Sequence, residues 1–298
     1  MLLNKIEPTN FLFLLGTLVT TVTAVPFYIW KFGLDPFQIG LFLALVIATA
    51  MSITLGYHRL FSHMTFKAAW PVRLFTLLFG AAAFESSALT WCADHRRHHK
   101  HVDHDEDPYD INKGFFHAHI GWLLFRPSPN TPLTWVRDLQ KDTMVRWQHQ
   151  YYVPLAIAMG FGFPTLVGFL YGGWVSALGA FLIAGTARIV FVHHMTFCIN
   201  SLCHCIGSRP YSSKCSARDS MLMAILTFGE GYHNYHHEFQ HDYRNGVKPW
   251  QFDPTKWAIW ILSKVGLVSA LRTVPDEKIR LAEAEERARR RMTATTSV

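Results

Sequence analysis

The chain has 298 residues, half of them hydrophobic and only 16% charged, with a formal net charge of +7. That balance argues against an ordinary soluble domain, and its basic residues flank apolar runs instead of forming a stripe, which argues against a nucleic-acid-binding module. The five cysteines form no CxxC pair, so reduced thiols are expected, Cys203 and Cys205 beside His204 included, with no disulfide framework.

In chain order, Phe11 to Trp30 is uncharged and long enough to cross a bilayer. A second apolar run, Phe37 to Leu55, follows the short Lys31–Pro36 turn. Tyr151 to Ala187 holds 37 residues with no Asp, Glu, Lys or Arg, which makes two spans broken near Tyr171-Gly-Gly-Trp174. The expected spans are residues 11–30, 37–56, 151–171 and 174–194. Between them, Leu74 to Phe84 is too short to cross and reads as a helix on the membrane surface. Arg188 is expected to snorkel to the interface.

Two hairpins leave both termini and the long polar segments on one side. Most of the charge lies there, and the positive-inside rule makes that side cytoplasmic. The expected fold is therefore an all-α integral membrane protein: one domain over 1–298, with four transmembrane helices, a cytosolic helical cap from 57–150 and 195–275, and a solvated, charged, helical tail, 276–298.

Histidine is the most informative residue, with 17 copies. Three clusters stand out: His58 and His63; His95, His98 and His99; His233, His236 and His237. In the last two the i, i+3, i+4 spacing puts all three rings on one helical face. The first pair, at i, i+5, would splay on a straight helix, so the second span is expected to end between them. Asn200 and His204 form a fourth element at i, i+4. Imidazole ligates Fe, Zn, Cu and Ni, and nine convergent histidines exceed what one ion takes, so two metals are expected. Asp94 and Glu230 are expected to accept the outer ring N–H of ligands. His101 and His104 are assigned to a solvated loop with Asp103, Asp105, Glu106 and Asp107.

The motifs around these clusters resemble the membrane fatty acyl desaturases, specifically the Δ9 (stearoyl-CoA desaturase) group. They are Gly56-Tyr57-His58-Arg59-Leu60-Phe61-Ser62-His63, Trp91-Cys92-Ala93-Asp94-His95-Arg96-Arg97-His98-His99-Lys100, and Gly229-Glu230-Gly231-Tyr232-His233-Asn234-Tyr235-His236-His237. Asn200-Ser201 to His204 and Arg209-Pro210-Tyr211 fall between the last two, as in the family. The resemblance implies a di-iron centre on the nine histidines His58, His63, His95, His98, His99, His204, His233, His236 and His237, with Asn200 approaching one metal through water. Zinc could replace iron in a purified sample.

The resemblance also implies O₂-dependent insertion of a cis double bond, at Δ9, into a long-chain saturated acyl group. A membrane fatty acyl or alkane hydroxylase with the same metals is the nearest alternative. Ala93 stands where the animal acyl-CoA enzymes carry Arg, and Ser86 where they carry Asn, so the carrier is acyl-CoA or a membrane lipid. Thr196-Phe197 resembles the pair lining the bend of the acyl tunnel, and Trp91 is expected beside it. Counting back eight and twelve residues from His58 places Ala50 and Val46 about 12 and 18 Å deeper, at the expected closed end. No His-Pro-Gly-Gly haem motif occurs in the chain. The expectation is thus a bacterial-type protein without fused cytochrome b5, served by a separate electron donor of cytochrome b5, ferredoxin or rubredoxin type with its reductase, docking on the basic face.

Overall fold

The computed structural model describes residues 6–125 and 131–296; the expected domain, cap and tail extend to residues outside these. Helix α1 spans Pro8–Phe32 and α2 spans Pro36–Met51. Proline opens each helix, where its missing N–H costs nothing. Asp35 caps α2, its carboxylate accepting from Gln38 N at 2.9 Å. Among the described residues, three helical stretches are long and apolar enough to cross a membrane: Pro8–Phe32, Pro36–Ser62 and Tyr152–Cys205. Their outward faces expose Leu15, Val19, Val22, Phe27, Leu43 and Ile47, an apolar surface that water would penalise and lipid would not.

The Tyr152–Cys205 stretch reverses direction at Gly172 and Gly173, both with non-helical backbone angles; Gly173 sits at φ +68, a conformation that favours glycine. The two limbs then lie side by side, because a Cβ on Gly168 would collide with Ala180. The Tyr28 hydroxyl donates to Val175 O and accepts from Gln38 Nε2, at 3.0 and 2.6 Å, latching α1, α2 and this third stretch together.

One expectation holds in altered form and one fails, each for an identifiable reason. The second span ends at Ser62, between His58 and His63, but its last turns are a π-helix over Ser52–Ser62, whose i to i−5 bonding brings i, i+5 side chains together where an α-helix would splay them. Arg188 does not snorkel. It is fully buried and donates to the carbonyls of Ala184, Ala82 and Gly160 at 3.0, 2.7 and 3.1 Å, satisfying backbone groups that other helices leave open.

Helix α3, Trp70–Ala81, takes in Leu74 to Ala81 of the expected Leu74–Phe84 helix and stops three residues short of its end. It packs on the π-helix through small residues: Gly56 lies against Thr76, and Gly80 against the Tyr57 ring. Helix α4, Ala88–His101, follows, capped by Ser87. Its Arg96 is the bolt between the first two histidine clusters, donating to Phe61 O, Ser62 O and Asp138 at 2.9, 3.0 and 2.6 Å.

The terminal helix, Asp276–Thr296, is not simply solvated as expected. Ile279 buries against Tyr211, Tyr235 and Phe239, and Glu286 accepts from Ser213 N at 3.1 Å.

Candidate metal centre

The four elements that carry the histidine clusters converge at one end of the apolar helices. The π-helix presents His58 and His63 with ring centroids 4.8 Å apart. Helix α4 brings His95, His98 and His99, and Trp91 stacks on His95 at 4.8 Å. The short helix Leu202–Cys205 supplies His204, and the helix His233–Glu238 supplies His233, His236 and His237. That last helix has only six residues, and its start is held from outside. Asp219 Oδ1 accepts from Asn234 N and Tyr235 N at 2.8 and 3.0 Å, while the Asn234 side chain donates to Ser212 O and Ala217 O at 2.7 and 3.0 Å.

The nine histidines sort into two groups: His58, His63, His95, His99 and His236; and His98, His204, His233 and His237. Within each, the ring nitrogens lie within 4.8 Å of one another. Facing Nε2 atoms are close: 3.0 Å for His58 and His236, 2.9 Å for His63 and His95, 2.9 Å for His99 and His236, 3.1 Å for His204 and His233.

The outer nitrogens explain why these contacts fit a cation. His98 Nδ1 lies 2.9 Å from both oxygens of buried Asp107. His58 Nδ1 lies 2.9 Å from Glu230 Oε2, a contact off hydrogen-bond alignment and therefore chiefly electrostatic. His204 Nδ1 meets Ser216 Oγ at 2.6 Å, and Tyr109 Oη meets His95 Nδ1 at 3.4 Å. Where the outer nitrogen carries the proton, Nε2 points inward with a lone pair. Burial first, then the neighbouring rings, push His95, His99, His233, His236 and His237 well below the ordinary imidazole value, which makes them neutral. Converging lone pairs repel unless an ion sits among them, so the donor set fits two transition-metal ions.

Glu230 belongs to a buried ion network. Burial alone would raise its pKa, but His58 and Arg59 outweigh that and hold it at about 2. Arg59 donates to Glu230 at 2.9 Å and to Asp253 at 3.0 Å, so neither buried charge lacks a partner.

Asp94, expected beside a ligand ring, faces Thr131 and Arg97 instead; burial lifts it to about 6. The reason is helical phase: it precedes His95 by one residue and points off the ligand face. Asp107, read as part of a solvated loop, is buried against His98. Asp107, Tyr109 and Ser216 are thus the supporting residues that sequence spacing missed. Only the Asp-rich run after the second cluster hinted at them. Among the described residues, the eight other histidines join neither group; His119 instead pairs with His194 at 3.0 Å.

A cavity reaches the histidines from the apolar side. Its wall includes Phe13, Ile53, Thr54, Trp91, Thr196 and Phe197, and it opens onto His58, His95, His98, His233 and Asn200. Trp91, Thr196 and Phe197 line this cavity. Val46 and Ala50, expected at its closed end, are not among its lining residues; both are buried, and the lining from that helix comes from Ile53 and Thr54. The π-helix changes the phase, so the cavity-facing positions fall four and five residues before His58. Glu85 crosses the cavity wall, accepting from Thr196 Oγ1 at 2.7 Å and Trp91 Nε1 at 3.3 Å.

Residues 37–261 match the sequence profile of the family described as Fatty acid desaturase, and the chain belongs to that family. It is 46% identical over 233 residues to a probable acyl-CoA desaturase of Schizosaccharomyces pombe, covering 78% of this chain and 48% of that protein. It is 42% identical over 259 residues to acyl-CoA desaturase 1 of Saccharomyces cerevisiae, covering 84% and 50%. With the stearoyl-CoA desaturase of Homo sapiens the identity is 34% over 254 residues, covering 84% and 68%. The chain thus spans about half the length of the two fungal relatives.

Proposed function

We propose that this chain is a membrane-embedded fatty acyl desaturase that inserts a cis double bond, at Δ9, into a long-chain acyl group. One observation carries the proposal: two histidine groups suited to two metal ions open onto a largely apolar cavity. A methylene C–H bond is beyond the reach of amino-acid side chains, and a pair of iron ions with O₂ supplies the oxidising power. The chain's residues do the rest. Trp91, Phe197, Phe13 and Ile53 exclude water and confine the alkyl chain. Glu85 ties Trp91 to Thr196 and so fixes the wall beside the reacting carbons. The nine histidines would hold the ions, and Asn200, lining the same cavity, would reach one of them through water.

The apolar helices cross the bilayer as four spans, counting the two limbs joined at Gly172 and Gly173, with the histidine cap and both termini in the cytoplasm. Acyl-CoA is the preferred substrate, in keeping with the names of the relatives. Electrons come from a small acidic carrier that docks on the basic cap, where Lys214, Arg287 and Arg289 are exposed. Expression in a cell lacking its own desaturase, followed by double-bond mapping of its lipids, tests the reading. Monounsaturated chains with one bond position are expected. Hydroxylated chains would replace the proposal with a hydroxylase, and saturated chains from an intact, iron-loaded protein would overturn it.

A further inference from the structure

We infer that Asp103 is a positioning residue for the second metal ion, acting on His204 through Ser216. The inference rests on the two-metal reading and deepens it.

Asp103 grips Ser216 with both carboxylate oxygens: Oδ2 accepts from Ser216 N at 2.6 Å and Oδ1 from Ser216 Oγ at 2.5 Å. An ionised carboxylate only accepts, so the single hydroxyl proton of Ser216 is committed to Asp103. The hydroxyl is left with lone pairs alone toward His204 Nδ1, 2.6 Å away. His204 Nδ1 must then carry its own proton, and Nε2 is the nitrogen left to bind a metal. The direction of the relay thus selects the tautomer of His204, whose Nδ1 lies 4.0 Å from Asp103 Oδ1 and so beyond a direct hydrogen bond.

The geometry around the relay is built to hold. Asp103 adopts φ +64, a left-handed conformation that Asp tolerates better than most residues. Its carbonyl accepts from Asn112 Nδ2 at 2.9 Å. Asn234, inside the third cluster, pins the loop that carries Ser216. The same turn ends in Asp107 on His98, so two of the four ligands of the second group hang from one acidic turn. The first group takes its carboxylate from Glu230 instead. The two ions are therefore held by separate supports.

Asp103→Asn reverses the logic without changing the shape. Its carbonyl oxygen would serve Ser216 N, and its NH₂ would face the hydroxyl. The Ser216 proton would then turn toward His204 Nδ1 and push the imidazole proton onto Nε2, where it blocks the metal.

The test counts ferrous ions bound anaerobically to the full chain in detergent, with affinities from chelator competition, alongside circular dichroism. Two ions are expected on the parent. Asp103→Asn and Ser216→Ala should retain one tight ion and bind the second about 10–100-fold more weakly. Ser216→Thr, which keeps the hydroxyl, should restore it, and Asp105→Asn, an exposed carboxylate of the same turn, should change nothing. Two ions bound as in the parent by Asp103→Asn and Ser216→Ala, equal loss of both ions, or no rescue by Thr would each overturn the inference. A parent chain that binds no iron would instead overturn the two-metal reading itself.

Discussion

The backbone N–H of His63 donates to the carbonyl of His58 at 3.1 Å, a bond five residues back along the chain. That bond lets two histidines whose spacing would splay them on an α-helix face into the same group. The wide turn is braced at Gly56, where a Cβ would strike Thr76 of α3. Gly56→Ala should therefore cost about 1–3 kcal/mol by overpacking and loosen the first ion more than the second. Thermal unfolding in detergent and metal analysis measure the two effects.

His99 and His237 stack with ring centroids 4.4 Å apart, yet they belong to different groups. His99→Ala and His237→Ala should each leave about one ion per chain in place of about two, and both should abolish desaturation. Loss of both ions from either variant would show that the two groups act as one site.

Cavity length should follow the π-helix, not the deeper helix. Ile53→Trp should shift the product profile toward shorter chains, since Ile53 lines the wall. Ala50→Phe should cost about 1–3 kcal/mol of stability and leave the profile unchanged. Lipid analysis of cells expressing each variant separates the outcomes, and a shortened profile from Ala50→Phe alone would reverse the assignment.

Glu85 gives a pH signature. Burial lifts its carboxyl from the ordinary 4.5 to about 7, against the hydrogen bonds of Thr196 and Trp91. The folded chain thus binds more protons than the unfolded one across that interval. Glu85's contribution is fully present below about 4.5 and is lost as pH rises through 7, on the order of 3 kcal/mol. Glu85→Gln should flatten the fall in stability between those pH values. A parent whose stability did not fall across that interval relative to Glu85→Gln would refute the assignment.

The i, i+3, i+4 clusters are legible from spacing because a ligand face on a helix is a local property. The apolar runs and the Tyr171-Gly-Gly-Trp174 break are legible for the same reason: composition and glycine act within a few residues. What sequence hid was non-local or a matter of phase. Nothing in Ser52 to Ser62 announces a π-helix, and that phase shift moved the cavity wall from Ala50 to Ile53. Asp107 looks like any loop carboxylate until the turn folds under His98, while Asp94, closer in sequence, points elsewhere. Arg188 reads as an interfacial cation, but its three carbonyl partners lie on segments as far away as Ala82.

The reversal at Gly172 and Gly173 has a consequence for how the protein is made. The limb after it carries the chain back toward the end where His58 and His95 already wait, and only then can His204 and the His233–His237 helix arrive. No nascent chain that stops before His237 holds all nine clustered histidines. On the two-metal reading, loading of both sites would therefore be a late event in biogenesis, after every apolar limb has been made. A ribosome that stalls past the second cluster would leave in the bilayer a protein with at most five of its nine ligands.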